Sequence, residues 1–261
     1  MSRLAAAFSR VRSNGHPGLV TYVTAGDPDL PRSEAILRTL DRAGADVLEV
    51  GVPFSDPLAD GPVIQRATER ALASGTTLPR VLDMIAHVRQ DIAAPLVIFS
   101  YANPILRMGT ATFAERARRA GVDGVLVLDL PIEEAGHFRG NMAEHGIDTI
   151  FLLSPTTTDE RLRTAATLGS GFLYAISRLG VTGARERVAD GAREMVERVR
   201  AASDLPVAIG FGISRPEHVR EVGAWADAAV VGSALVKVIE EAGTTPDLTT
   251  RVEEYVRWLK S

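Results

Sequence analysis

The 261-residue chain contains no cysteine. That removes disulfides and thiolate chemistry and fits a reducing compartment. No apolar run reaches membrane-spanning length, and the opening MSRLAAAFSRVRS reads as an amphipathic helix carrying Arg3, Arg10 and Arg12, without the apolar core of a signal peptide. Basic residues are not in excess: 29 Lys and Arg stand against 33 Asp and Glu, for a formal charge of −4. This leaves no electrostatic footprint for nucleic acid. No His, Cys and Asp spacing suggests a metal. The histidines His16, His87, His137, His145 and His218 fall on helices or loops away from strand ends. There is no G-x-S-x-G elbow of a serine hydrolase, and no G-x-G-x-x-G follows the first strand. These absences predict a soluble, cytoplasmic protein whose partners include neither membrane nor nucleic acid.

What is present is a repeated alternation of strand and helix. Strands are expected at Leu19 to Pro28, Asp46 to Gly51, Leu96 to Tyr101, within GVLVLDLP, DTIFLLSPT, GFLYAIS and LPVAIGFGIS, and at the start of AAVVGSALVKVIE. Helices are expected at 31–42, 63–73, 81–91, 113–120, 133–144, 159–168, 192–202, 216–222 and 248–259, with another running on from the eighth strand. About eight strands, each followed by a helical segment, in a chain of this length predict an α/β fold, a (β/α)8 TIM barrel with an extra N-terminal helix. An open doubly wound sheet is the alternative and usually has fewer strands. No linker or composition shift divides the chain, so residues 1–261 are expected to form a single catalytic domain.

The stretch VLEVGVPFSDPLADGPVIQRA, residues 47–67, stands out. A parallel strand covered on both faces should be apolar throughout, and Glu49 interrupts it. Side chains alternate, so Val47, Glu49 and Gly51 share one face while Leu48 and Val50 take the other. If Leu48 and Val50 meet helices, Glu49 points into the barrel, where a carboxylate is costly unless paired or given a task. A structural ion pair with Lys or Arg is the bland alternative. Asp60 follows in the loop, so two acids sit at a strand end and just beyond it.

Barrel chemistry gathers at the C-terminal strand ends. There the loops hold Gly180 and Gly183, then Gly210 and Gly212, then Gly232 and Ser233 at a helix start. Glycines let backbone N–H groups approach an anion, and a helix N-terminus adds partial positive charge. These loops are expected to bind phosphate. The long polar loop from Arg178 to Gly191 reads as a lid that closes on the ligand, or else as a surface excursion.

Taken in order, LEVGVPFSDPLADGPVIQRA, YANPI, DLPIEE, SRLGVTGAR, GFGIS and VVGSALVK resemble the tryptophan synthase alpha chain family over essentially the whole chain. The resemblance implies a carbon–carbon lyase. It would split indole-3-glycerol phosphate into indole and glyceraldehyde 3-phosphate and pass indole to a beta chain. It implies no cofactor in this chain, with pyridoxal phosphate held by the beta partner of an α2β2 complex. Carried over by position, Glu49 is the general acid/base, Asp60 the second catalytic carboxylate, and Tyr174 a third catalytic residue near Glu49, or else a barrel-filling aromatic. Gly183, Gly212, Gly232 and Ser233 match the phosphate site. Tyr22, Phe99, Leu126, Leu152 and Phe211 match the indole pocket, and Arg178 and Thr182 the lid. Beta-chain contacts are expected at Pro53, Phe54, Asp56, Pro57, Asn103 and Pro104, read as exposed loop residues. Tyr22, Leu128 and Leu179 depart from the family's usual residues. Two other readings remain open at this level: a free-standing indole-3-glycerol-phosphate lyase, and a non-enzymatic barrel that binds a phosphorylated ligand or scaffolds a partner.

Overall fold

The computed structural model describes residues 1–176, 191–210 and 212–261. Its strands are β1 Gly18–Thr24, β2 Val47–Gly51, β3 Leu96–Ser100, β4 Gly124–Val127, β5 Asp148–Ile150, β6 Leu152–Leu153, β7 Leu173–Ile176, β8 Val207–Gly210 and β9 Ala228–Val231. All pair in parallel, in the order β5-β4-β3-β2-β1-β9-β8-β7-β6. The two ends of that order, β5 and β6, are separated only by Phe151, whose carbonyl accepts the Tyr174 N–H at 3.0 Å. The single fifth strand read from DTIFLLSPT is thus two short runs. Its first run pairs with β4 and its second with β7, which brings the ring of strands round on itself.

Two apolar clusters divide the molecule by strand parity. Leu48, Val50, Leu96, Ile98 and Val125 point outward and pack with helix residues such as Ile36, Leu82 and Phe113. Val20, Val47, Val97, Leu126, Ile150, Tyr174, Ala208 and Val230 point inward. The N-terminal helix Arg3–Asn14 belongs to the inner set. Its Leu4 and Phe8 are buried with these strand residues, and the Phe8 ring lies 5.1 Å from that of Phe172. A Cβ added at Gly124 would come 2.8 Å from a Leu4 methyl, so this helix plugs the barrel's lower end. The upper end, at the strand C-termini, is left for chemistry.

Helices 192–202 and 248–259 run as expected, Ala192–Ala202 and Leu248–Leu259. Helix Ala102–Met108 is a correction: its Asn103-Pro104 pair reads as a loop. Pro104 lies in the first turn, where a missing backbone N–H costs nothing. Asp129, in the loop after β4, accepts the Ala102 N–H at 2.6 Å and fixes the helix start.

Candidate active site

Glu49 lies in the middle of β2, level with Tyr22 of β1 and Val97 of β3. Its neighbour Val47 belongs to the inner cluster and Leu48 and Val50 to the outer one, so the carboxyl faces the barrel interior. The residue is 0 % exposed, and neither carboxylate oxygen has a hydrogen-bond partner among the described residues. No described Lys or Arg pairs with it. Burial pushes the Glu49 carboxyl up to about 8, so at neutral pH it keeps its proton.

Asp60 stands just before helix Pro62–Ala73, with its N–H on the Pro57 carbonyl at 3.1 Å and its carbonyl taking the Gln65 side chain at 2.8 Å. Burial raises its carboxyl to about 6, against a hydrogen bond from the Tyr101 hydroxyl at 3.3 Å that favours the ionised form. The same Tyr101 oxygen accepts the Ala59 N–H at 3.1 Å, and its ring lies 5.2 Å from Phe54. Tyr101 thus holds the Asp60 carboxyl in place, a contact that sequence reasoning left unassigned. The signal available was its place in YANPI, directly after the third strand.

Tyr22 joins the two acids. Burial raises its hydroxyl pKa first, then Asp60, with a smaller push from Glu49. Its ring meets Phe99 edge-on, with centroids 5.4 Å apart. A Cβ on Gly51 would fall 2.2 Å from the Tyr22 oxygen, so only glycine admits this tyrosine. Tyr174 is fitted the same way, since a Cβ on Gly210 would lie 2.2 Å from its oxygen. Burial and then the Glu49 charge hold the Tyr174 hydroxyl well above its usual range. Leu126 is fully buried in the inner cluster, and Phe99 and Leu152 pack half-buried against it.

At the other side of the mouth, Gly212 adopts a φ of 77°, a backbone that favours glycine. Gly232 precedes helix Ser233–Ala242 and accepts its first backbone bond, from Val236 at 3.0 Å. The N–H groups that come before Val236, those of Ser233, Ala234 and Leu235, have no intrahelical acceptor and suit an anion. Position 232 abuts the Tyr22 side chain, with an added Cβ 3.6 Å from the Tyr22 Cβ, so the start of this helix borders the Tyr22 ring. The residues expected to form a lid, Arg178 and Thr182, together with Gly183, Phe211 and Leu179, lie outside the described residues.

The expected partner loop needs correction. Pro53 is buried, Phe54 and Pro57 are half-buried, and only Asp56 is exposed; Asn103 is exposed but helical. No described helix is long and apolar enough to cross a membrane.

Two carboxyls at the mouth of a (β/α)8 barrel, both raised by burial and the fully buried Glu49 further than the half-buried Asp60, suit acid/base chemistry near neutral pH. Comparison with known proteins narrows this. The family model "Tryptophan synthase alpha chain" matches residues 8–261. The chain is 49% identical to the tryptophan synthase alpha chain of Geobacter sulfurreducens, covering 100% of this chain and 98% of the relative. It is 41% identical to that of Arabidopsis thaliana, over 99% and 94%. Among solved structures, tryptophan synthase of Mycobacterium tuberculosis superposes with a TM-score of 0.91 at 38% identity, over 99% and 97% of the two chains. The tryptophan synthase α2β2 complex of Pyrococcus furiosus gives a TM-score of 0.87 at 41% identity, over 93% and 97%. The chain belongs to the tryptophan synthase alpha chain family, and is a carbon–carbon lyase of tryptophan biosynthesis.

Proposed function

We propose that Glu49 and Asp60 together cleave indole-3-glycerol phosphate, acting from opposite protonation states on one bound ring. What supports this is the place of Glu49 inside the mouth, its carboxyl without a hydrogen-bond partner among the described residues and raised by burial to about 8, with the more acidic Asp60 beyond Tyr22. Glu49 delivers its proton to indole C3, which turns the ring into an electron sink. Asp60 accepts a hydrogen bond from the indole N–H and offsets the positive charge developing there. A base then takes the proton of the side-chain hydroxyl next to C3. The carbon–carbon bond breaks, its electrons return to the ring, and the hydroxyl carbon leaves as the aldehyde of glyceraldehyde 3-phosphate. Glu49, now ionised, is that base, so one carboxyl serves both steps.

Tyr174 packs beside Glu49 and limits its movement. Tyr22, Phe99, Leu126, Leu152 and Phe211 wall the indole, while Gly183, Gly212, Gly232 and Ser233 receive the phosphate through backbone dipoles. Arg178 and Thr182 belong to the lid. Proton transfers suffice for this reaction, so no cofactor is assigned to this chain, and pyridoxal phosphate is assigned to a beta-chain partner. The partner face comprises Phe54, Asp56 and Pro57, lying over the buried Pro53, with Asn103 and Pro104. Leu58 and Leu106, 94% and 64% exposed in the same two segments, support it, since apolar side chains held in solvent suit a docking surface. The reading takes residues 1–261 as one domain acting in the cytoplasm.

Indole release from indole-3-glycerol phosphate, measured with and without beta chain, is the test. Activation by the beta chain is expected. Strong lone turnover that the partner leaves unchanged would favour the free-standing lyase, and equal turnover by Glu49→Gln would remove the mechanism.

A further inference from the structure

Three parts of the mouth converge on one guanidinium. Arg70 lies in the last turn of helix Pro62–Ala73, which begins two residues after Asp60. Its Nε and Nη2 donate to the two carboxylate oxygens of Asp27 at 2.7 and 2.9 Å. Its Nη1 donates to Glu240 at 2.9 Å. Glu240 belongs to helix Ser233–Ala242, whose N-terminus carries Gly232 and Ser233. Arg66, one turn before Arg70, grips both oxygens of Glu240 at 2.7 and 2.9 Å. Asp27 has a side chain only 2 % exposed and sits in the turn that follows β1, the strand that bears Tyr22. That turn is itself tied to the far end of the Asp60 helix. Gly26 accepts the Ser74 hydroxyl at 3.3 Å, and a Cβ on Gly26 would lie 1.9 Å from the Thr76 oxygen.

We infer that Arg70 is a positioning residue for the substrate, fixing through Asp27 and Glu240 the separation between the Asp60 helix and the helix N-terminus that receives phosphate. The inference rests on the proposed function. A ligand held by an acid at its aromatic end and by a helix N-terminus at its phosphate end reads the distance between those two helices. The barrel does not need Arg70 for that neighbourhood to exist, because β1, β2 and β9 already pair through their backbones. What the side chain adds is orientation. A guanidinium fork on a carboxylate fixes angle as well as distance, and its third nitrogen ties in the second helix; a lysine ammonium offers no such plane.

The test uses the complex of this chain with a beta chain, and three variants: Arg70→Lys, Glu240→Gln and the control Glu253→Gln. Glu253 makes a comparable ion pair with Arg42, at 3.0 Å, between helices Leu30–Arg42 and Leu248–Leu259. Steady-state turnover of indole-3-glycerol phosphate is compared with binding of an indole-3-alkyl alcohol and of its phosphate ester. Arg70→Lys and Glu240→Gln are expected to raise KM and to weaken the phosphate ester about five- to fiftyfold, a cost typical of sub-ångström to 1 Å misplacement. Binding of the phosphate-free alcohol is expected to stay within about twofold, as are all values for Glu253→Gln. Glu240→Gln leaves the Arg70–Asp27 fork in place, so it carries the test if Arg70→Lys does not fold. Unchanged KM in folded Glu240→Gln overturns the inference, as does equal weakening of both ligands. Glu49→Gln, run alongside, separates the two claims: an active Glu49→Gln sinks the proposed function, whereas an inactive one beside an unaffected Glu240→Gln sinks only the role of Arg70.

Discussion

The lower end of this barrel and the Glu49–Asp60 pair at its mouth treat the same kind of residue in opposite ways. At the lower end, Asp46, Asp123 and Asp227 each stand one residue before a strand. Each caps the strand next to its own: Asp46 accepts the Leu19 N–H at 2.8 Å, Asp123 that of Leu96 at 2.9 Å, and Asp227 that of Val207 at 2.8 Å. Each also meets a cation, Lys260 at 3.3 Å, Arg89 at 3.3 Å and Arg12 at 2.7 Å respectively. Asp148, at the start of β5, is the exception, with one oxygen unpartnered among the described residues. At the mouth, Glu49 has no partner among those residues and Asp60 has one tyrosine hydroxyl. Acids that are satisfied stitch strands together. Acids left unsatisfied keep a proton affinity that chemistry can use, at a cost in stability that the rest of the core offsets.

The sharpest way to break this contrast is Glu49→Gln. It is expected to lower kcat by about 10²- to 10⁴-fold, the usual worth of a general acid/base, while not destabilising the fold. Its stability relative to the parent depends on pH in a definite sense. Below about pH 4.5 the parent carboxyl is protonated in folded and unfolded chains alike. Between there and about 8 the unfolded chain releases the proton while the barrel still holds it, so parent stability falls as pH rises. Glutamine mimics the protonated form. The variant should therefore match the parent at low pH and exceed it near pH 9, as read by thermal unfolding across that range. A variant less stable at every pH would mean that Glu49 is a structural acid like those below.

Asp60→Asn comes next, with an expected loss of about 10²- to 10³-fold in kcat from removing one preorganised electrostatic contact; single-turnover indole release measures it. Asp227→Asn should do the reverse. Losing the charge that holds Arg12 and Val207 is expected to cost about 1–3 kcal/mol in denaturant unfolding, with kcat/KM unchanged. The smallest effect belongs to Tyr101→Phe. Its hydroxyl lowers the Asp60 pKa, so its loss should move the acidic limb of the kcat/KM profile upward from near pH 6. A limb that stays put would place the profile's acid elsewhere.

Much of this division was legible in the residues. An acid inside VLEVG can only face inward if its neighbours face helices, and period two settles which. The chain order of strands and helices was legible for the same reason, down to Ala192–Ala202 and Leu248–Leu259. What was hidden is what depends on long-range meeting. Arg70 reaches Asp27 across 43 positions and Glu240 across 170, and no local pattern marks those pairs. Pro53 looks like an exposed loop residue, yet it is buried. The Asn-Pro pair at 103–104 looked like a break because proline's tolerance of a first helical turn depends on where the turn starts, which Asp129 decides from another loop.

The most direct measurement is a carbon-13 NMR titration of the Glu49 side-chain carboxyl, assigned by its disappearance in Glu49→Gln. A midpoint near 8 is expected, with the carboxyl still protonated at neutral pH. A midpoint near 4.5, the ordinary glutamate value, would show a solvated or paired carboxylate and contradict the division between the two ends of the barrel.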